Sequence, residues 1–469
     1  MNVSSATNPS GVLIRGGTVI DVDGERVADV RIDQYGKMAA VGNLAPLVNE
    51  TVHDAVGCFV IPGGIDAHTH LHLPVGSVRV SDDFDTGTRA AAIGGTTTVI
   101  DYTTAYRGED PMAALRTWKS WAEPSVIDYG LHMTFTEAVS ERTVAECVEG
   151  GVTSIKLYMA YPELLQVDDD TIRKILRHSQ KHGALVTLHA ENGGAIEQLR
   201  RDALAAGRTG VFEHANTRPA LLEAEATDRA ARMAEDTGAP VYIVHLSSAP
   251  ALASVRAAQE RGVNILVETC PQYLHLDVSA LQASGGENFV CTPPLRDPWH
   301  HEELWHGLSQ GWIHTVATDH CPFWMHDRTA GIGGNERFKD FTDIPGGLPG
   351  IETRLALIYD GVRAGHITRA DWVRLCAEAP AKIFGMWPDK GHLGVGAHGD
   401  VVVWDPTMVQ SLDAEALHMR VDHSPYQGRQ SVGWPKLVFS RGRLVARNGE
   451  FVGEPAAGKF IERCRPLLV

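Results

Sequence analysis

The sequence has no C-x-x-C pair and no clustered, even set of cysteines. Its seven, Cys58, Cys147, Cys270, Cys291, Cys321, Cys376 and Cys464, are scattered, which argues against a disulfide framework or a cysteine-held zinc and fits a reducing, cytoplasmic setting. It has no excess of base either. Lys and Arg number 42 against 58 Asp and Glu, for a formal net charge of −16, so nucleic acid and anionic membranes are not expected partners and a polyanionic substrate is disfavoured. No apolar run approaches the length that crosses a bilayer. Met1 to Ser10 are small and polar, without the basic and apolar regions of a secretory signal.

What is present is a chain of 469 residues, 43% apolar and 21% charged, long enough for a large core and by length alone for two or three domains. The N-terminal stretch Val12 to Asp21 reads as a strand, a turn at Gly16-Gly17 and a second strand, followed by strands over Val27–Ile32 and Met38–Val41. Similar texture returns near the C-terminus, in Asp400 to Asp405 and Lys436 to Gly442. Short strands at either end cannot bury a core separately, so the two termini are expected to pair into one small β-sandwich domain.

Between them, short β-branched runs alternate with helical stretches such as Thr171–His182, Glu223–Thr237 and Ala249–Arg261. The strand candidates are Val60–Asp66, Thr96–Tyr102, Val126–Met133, Thr153–Met159, Ala184–His189, Val241–His245, Val263–Glu268 and Thr315–Thr318. About eight such units are what a (β/α)8, TIM-like barrel requires. A doubly wound open sheet is the alternative, but its glycine-rich fingerprint is missing after the first strand. The expected class is therefore α/β: residues 1–61 begin the β-sandwich domain, 62–392 form the barrel, and 393–469 complete the β-sandwich domain and add a tail. The Gly- and Pro-rich segment Gly331 to Gly350 reads as a long functional loop or as a flexible surface insertion.

One stretch organises the rest: Phe59-Val60-Ile61-Pro62-Gly63-Gly64-Ile65-Asp66-Ala67-His68-Thr69-His70. In a strand, side chains alternate faces, so His68 and His70 emerge on one side, close enough to share a cation. Barrel enzymes place reactive groups at the C-terminal ends of strands, and the polar outliers fall there: Lys156, His189, His245 and Asp319. Singly, each has a structural explanation, such as a core histidine or a helix-capping aspartate. Four strand-end coincidences, added to the histidine pair, point to metal chemistry. Neutral imidazoles suit zinc and neighbouring divalent ions, and four histidines split two and two across two metals. Two adjacent cations need an anionic bridge, which no glutamate is evidently placed to supply, and a lysine amine is a poor ligand.

These motifs, together with Ser154 to Tyr161, His189-Ala190-Glu191-Asn192-Gly193, Glu268 to Leu274, Thr292-Pro293-Pro294-Leu295-Arg296 and Thr318-Asp319-His320-Cys321-Pro322, resemble the amidohydrolase superfamily over essentially the whole chain. The resemblance is to its cyclic-amidase branch of dihydropyrimidinases, hydantoinases and allantoinases. It implies that Lys156 is carbamylated to an N6-carboxylysine bridging two metals, that His68, His70 and Asp319 hold one, and that His189 and His245 hold the other. Zinc is the expected ion, with manganese or cobalt as alternatives. It further implies that Tyr161 donates to the developing oxyanion, that the backbones at Thr292 and Gly346 hold the ring amide, and that the assembly is a homotetramer. The reaction expected is attack of a metal-held hydroxide on a cyclic amide carbonyl, with Asp319 carrying the proton to the leaving nitrogen.

The substrate reading turns on the residue two beyond His70. Dihydroorotase-like relatives place arginine there to grip a carboxylate, and allantoinases tend to carry asparagine, whereas this sequence has His72, a poor bidentate clamp. His72 is either an extra pocket donor or a side chain turned towards neighbouring loops. Neutral 5,6-dihydropyrimidines or 5-substituted hydantoins, opened to N-carbamoyl amino acids, are therefore expected, with Leu71, Leu73, Tyr158 and Phe323 available for an apolar substituent. Gly346 and the Gly347-Leu348-Pro349-Gly350 segment resemble this type more than allantoinase. The reading from a different class is a non-catalytic scaffold of the same fold, but such relatives lack several ligands and this sequence keeps every one.

Overall fold

The computed structural model describes residues 11–467; the signal-peptide reading of Met1 to Ser10 lies outside them. The first five strands, β1 (Val12–Asp21), β2 (Gly24–Ile32), β3 (Met38–Gly42), β4 (Thr51–Asp54) and β5 (Phe59–Pro62), join a nine-stranded sheet with the last four. Eight strands then alternate with helices: β6 (Gly64–Thr69), and after a short hairpin of β7 (Pro74–Val75) and β8 (Val78–Arg79), β9 (Thr96–Ala105), β10 (Asp128–Phe135), β11 (Ser154–Tyr158), β12 (Leu185–His189), β13 (Val241–Ile243), β14 (Ile265–Thr269) and β15 (Thr315–Val316). The chain returns to the terminal sheet with β16 (Val401–Ser411), β17 (Gln430–Ser440), β18 (Arg443–Arg447) and β19 (Glu450–Phe451).

The two ends meet where β16 pairs antiparallel with β5, Val402 opposite Ile61. Their shared sheet encloses its own apolar core, including Val12, Ile14, Val30, Val60, Val403 and Phe439. Here the expectation over Gly16-Gly17 is corrected. The stretch is one ten-residue strand, and the glycines form a bulge where the register against β2 shifts between Ile14 and Gly17. Gly16 takes φ 73°, and a Cβ on Gly17 would stand 2.4 Å from Val60 Cγ2, so the glycines admit an extra residue without a side chain to clash.

The eight middle strands pair in chain order, each with the next, in one parallel sheet. The seam closes through a bridge between Thr69 and His320, with Thr318 Oγ1 donating to Asp66 Oδ2 at 2.6 Å. Barrel and connections therefore follow the expected (β/α)8 order. Val60–Asp66 is the exception: it is two strands, β5 in the terminal sheet and β6 in the barrel, because Pro62 lacks a donor and Gly63 packs with no room for a side chain against Thr97.

The barrel floor is filled by Ile65, Ile100, Leu185, Tyr242 and Leu266, closed below by Ala381, Ile383 and Phe384. The C-terminal tail lies along this end: Ile461 N donates to Tyr129 O at 2.7 Å and Cys464 N to Gly385 O at 2.8 Å. Terminal sheet and barrel are stapled by buried Lys390, whose Nζ stands 2.8 Å from Asp128 Oδ2 and 2.5 Å from Asp400 Oδ2. Asp128, Asp400 and His398 converge in a way that could hold a cation, but the Lys390 ammonium already supplies the charge. Among the described residues no helix is long and apolar enough to cross a membrane.

Candidate metal centre and ring site

Each candidate residue sits at the C-terminal end of its strand, as a parallel barrel dictates. His68 lies within β6 and His70 just beyond it; Lys156 lies in β11; His189 ends β12; His245 and Asp319 follow β13 and β15. Strand alternation does bring the first two to one face. Nε2 of His68 and Nε2 of His70 each stand 3.1 Å from Asp319 Oδ1. Opposite them, His189 Nδ1 meets His245 Nε2 at 2.9 Å. Both His245 (φ 41°) and Asp319 (φ 52°) adopt the left-handed backbone region, as does Tyr161 (φ 65°). Such conformations are uncommon for residues with a Cβ and are held by their surroundings where a side chain must be aimed.

All six, with Tyr161, Thr292 and Gly346, line one cavity of about 920 Å³. Leu73 and Tyr158 share its wall, as do Leu165, Ile332 and Ile344. The segment Pro345-Gly346-Gly347 forms another side, so the long loop after the last barrel strand is part of the site. Two expected wall residues are not. Leu71 and Phe323 are fully buried behind it, packed in the core. For His72 the second of the two expected placements holds. With φ 61° its imidazole turns to Arg79 and to the Trp121 ring, whose centroid is 4.8 Å away, and it does not line the cavity.

Burial sets the protonation of the cluster. It lowers the pKa of His70, of His189 and, furthest, of His245, which keeps these imidazoles neutral and free to offer lone pairs. Burial acts on His68 in the same direction, but the carboxylates of Asp319 and Glu268 outweigh it and raise its pKa to about 9. Asp319 is buried too, yet the two histidines hold its carboxyl well below the usual range. Lys156, 1% exposed, is pushed down to about 7 by burial. Its Nζ lies 5.0 Å and 4.9 Å from the ring centres of Tyr102 and Tyr158.

The donor set suits cations. His68, His70 and Asp319 place one ligand atom each within 4.8 Å of one another, and the buried nitrogens His70 Nδ1 and His245 Nδ1 have no hydrogen-bond partner. Nitrogen and carboxylate ligands at this separation are what zinc and similar divalent ions take, a cation displacing the His68 proton.

Behind these candidate ligands stands a layer to which the sequence assigns no role. Glu268, at the end of β14, accepts from His68 Nδ1, from His245 N at 3.1 Å and from the Tyr242 hydroxyl at 2.8 Å. Glu191 faces His189 Nε2 at 2.8 Å and takes Arg218 Nη1 at 2.9 Å. Each fixes which ring nitrogen points into the cavity. The signal for Glu268 was available, since a charged residue closing Ile265-Leu266-Val267 obeys the same strand-end rule as the ligands. Glu268→Gln is expected to weaken zinc binding by about 10- to 100-fold, measured by competition with a chromophoric chelator; unchanged affinity would mean that Glu268 does not orient His68.

Against known proteins, the model of the Amidohydrolase family matches residues 59–445. The chain belongs to the amidohydrolase family. Within that family it is 42% identical over 461 residues to the D-hydantoinase of Geobacillus stearothermophilus, covering 97% of this chain and 96% of that protein. It is 40% identical over 463 residues to a D-phenylhydantoinase of Escherichia coli, covering 96% and 98%. Among solved structures, the dihydropyrimidinase of Brevibacillus agri superposes with a TM-score of 0.94 at 41% identity, over 97% of this chain and 99% of that one. The L-hydantoinase of Arthrobacter aurescens superposes at 0.87 with 27% identity, over 97% and 100%. This amidohydrolase thus shares its two-part architecture, end to end, with enzymes named for opening cyclic amides.

Proposed function

We propose that this amidohydrolase hydrolyses a ring C–N bond of neutral cyclic diamides, 5-substituted hydantoins or 5,6-dihydropyrimidines, giving N-carbamoyl amino acids. The observation that carries the reading is the convergence of His68, His70, Lys156, His189, His245 and Asp319 on one cavity that Tyr161, Thr292 and Gly346 also line. The near-full-length likeness to D-hydantoinases supports it over allantoinase, and the complete ligand set speaks against a non-catalytic scaffold. Two divalent ions, zinc by donor type, would be held by His68, His70 and Asp319 on one side and by His189 and His245 on the other, with Lys156 between as its carbamate. When bound, they supply Lewis acidity and make water a nucleophile at neutral pH.

The rest falls to the chain. Lys156, buried and with its pKa lowered to about 7, is in good part an uncharged amine at neutral pH and so able to take up carbon dioxide, whereas an ammonium is not a nucleophile. Burial raises the Tyr161 phenol to about 12, so it stays protonated as a donor to oxygen where negative charge develops. Asp319, ionised, accepts the proton of the attacking water and delivers it to the departing ring nitrogen. The Thr292 and Gly346 backbones would hold the ring amide and fix which carbonyl faces the metals. Leu73, Val75, Tyr158, Leu165, Ile332 and Ile344 give the wall an apolar character suited to a hydrocarbon ring substituent. The same resemblance supports a homotetramer as the assembly.

The test is a turnover panel of dihydrouracil, hydantoin, a 5-aryl hydantoin, allantoin and dihydroorotate with added zinc or manganese, following carbamoyl product. Opening of the hydantoins or dihydrouracil, with dihydroorotate untouched, is expected. Turnover confined to allantoin or dihydroorotate, or none at all, would overturn the reading.

A further inference from the structure

Arg328, on the short helix Met325–Ala330, is 0% exposed, yet its guanidinium is met by carbonyls rather than carboxylates. Nη1 donates to Glu287 O at 2.9 Å, Val290 O at 3.3 Å and Pro345 O at 3.2 Å, and Nη2 donates to Gly347 O. A guanidinium is costly to bury unless its donors are used; burial lowers its pKa only to about 10, so it enters this site charged. An apolar side chain would serve packing more cheaply.

The four carbonyls belong to two segments. Residues 287–290 lead into Thr292, and residues 345–347 contain Gly346. These segments also touch directly: Gly347 N donates to Val290 O at 2.9 Å, and a Cβ built on Gly346 would stand 3.3 Å from Thr292 Oγ1. Arg328 itself does not line the cavity that both segments reach.

We infer that Arg328 is a positioning residue for ring binding: its planar fork ties the Thr292 and Gly346 segments at the separation needed to grasp the edge of a cyclic diamide, without touching the substrate. The inference rests on the proposed function. A rigid ring presents its N–H and C=O groups in one plane at fixed spacing, so two backbone segments can hydrogen-bond it together only if their separation is held to about 0.5 Å. Arginine is suited to this because its donors diverge in a fixed plane and reach several carbonyls at once. A lysine presents all its donors from a single nitrogen.

Kinetics of wild type, Arg328→Lys and Arg328→Gln on hydantoin, with metal content measured for each, test this. Both variants are expected to raise KM by about 10-fold or more, Gln further than Lys, with kcat and metal per protomer nearly unchanged, the pattern of lost ring binding. In Arg328→Ala, added methylguanidinium is expected to lower KM back towards wild type, a rescue that a purely structural role would not show. If Arg328→Gln fails to fold, Arg328→Lys and the rescue decide. A folded Arg328→Lys with wild-type KM, or a kcat loss that tracks metal loss, would overturn the inference while wild-type turnover leaves the proposed function standing. Absence of wild-type turnover on the whole panel would remove both.

Discussion

Replacing Asp319 by asparagine is expected to lower kcat on hydantoin by about 10²- to 10⁴-fold while metal per protomer changes little. The amide keeps an oxygen in the place of Oδ1, which stands 3.1 Å from Nε2 of both His68 and His70, and so keeps a ligand atom. What it loses is the ability to take a proton. In the native side chain that ability is poised by opposing effects, burial favouring the neutral acid and the two histidines favouring the carboxylate, with the histidines prevailing. The left-handed backbone at φ 52°, supported by the adjoining seam between Thr69 and His320, does not depend on which atom completes the side chain, so the fold should not move. Steady-state turnover with metal analysis on the same preparation checks this. Near-normal kcat at full metal content would remove Asp319 from the proton path.

Lys156→Met is expected to abolish measurable turnover, a loss of about 10³-fold or more if the paired ions are needed to generate the nucleophile. It is also expected to drop metal content below that of the native protein under identical loading. Methionine nearly matches the lysine stem in volume and places an apolar atom in a site that is 1% exposed, so the barrel should lose little stability and may be compared directly by melting. What disappears is an amine whose uncharged form burial makes accessible at neutral pH and that, once carbamylated, would carry the anionic oxygens two adjacent cations require. Native-protein mass spectrometry supplies the independent readout: the wild type should carry the added mass of one carbon dioxide per protomer, lost in Lys156→Met. A bare amine in fully active wild-type protein would sink the carbamate, whatever the mutant does.

Much of the architecture was legible because it is written in local periods. Strand-length β-branched runs separated by amphipathic helical stretches specify a parallel α/β sheet wherever they occur. His68 and His70 were readable as a pair because side chains in a strand alternate with period two, and Lys156, His189, His245 and Asp319 because each interrupts an apolar run at its C-terminal end. Glu268 obeys the same rule, but its carboxylate lies behind His68 rather than in the cavity, a distinction of depth that no spacing contains.

Elsewhere the local signal pointed one way and packing decided otherwise. Gly16-Gly17 carries turn chemistry, but the ladder to β2 continues past it and the glycines become a bulge. Val60–Asp66 is one apolar run in sequence and two strands in space, since a proline without a donor and a glycine crowded by Thr97 hand the chain from one sheet to the other. The sequence leaves His72 open between the cavity and the neighbouring loops, and only the left-handed backbone decides for the loops. Leu71 and Phe323 fail for a related reason, because which face of a loop is inward depends on what packs against it.

The sequence alone thus determined the strand–helix alternation, the pairing of the two termini, and the motifs that mark the chain as an amidohydrolase, since each follows from near neighbours along the chain or from motifs a few residues long. Tertiary structure alone decided that Glu268 and Glu191 aim the histidines, that His72 lies outside the cavity, and that Arg328 ties together two segments separated by more than fifty residues. Those facts depend on distances between parts of the chain that are remote in sequence, and on backbone angles that only a packed barrel holds in place.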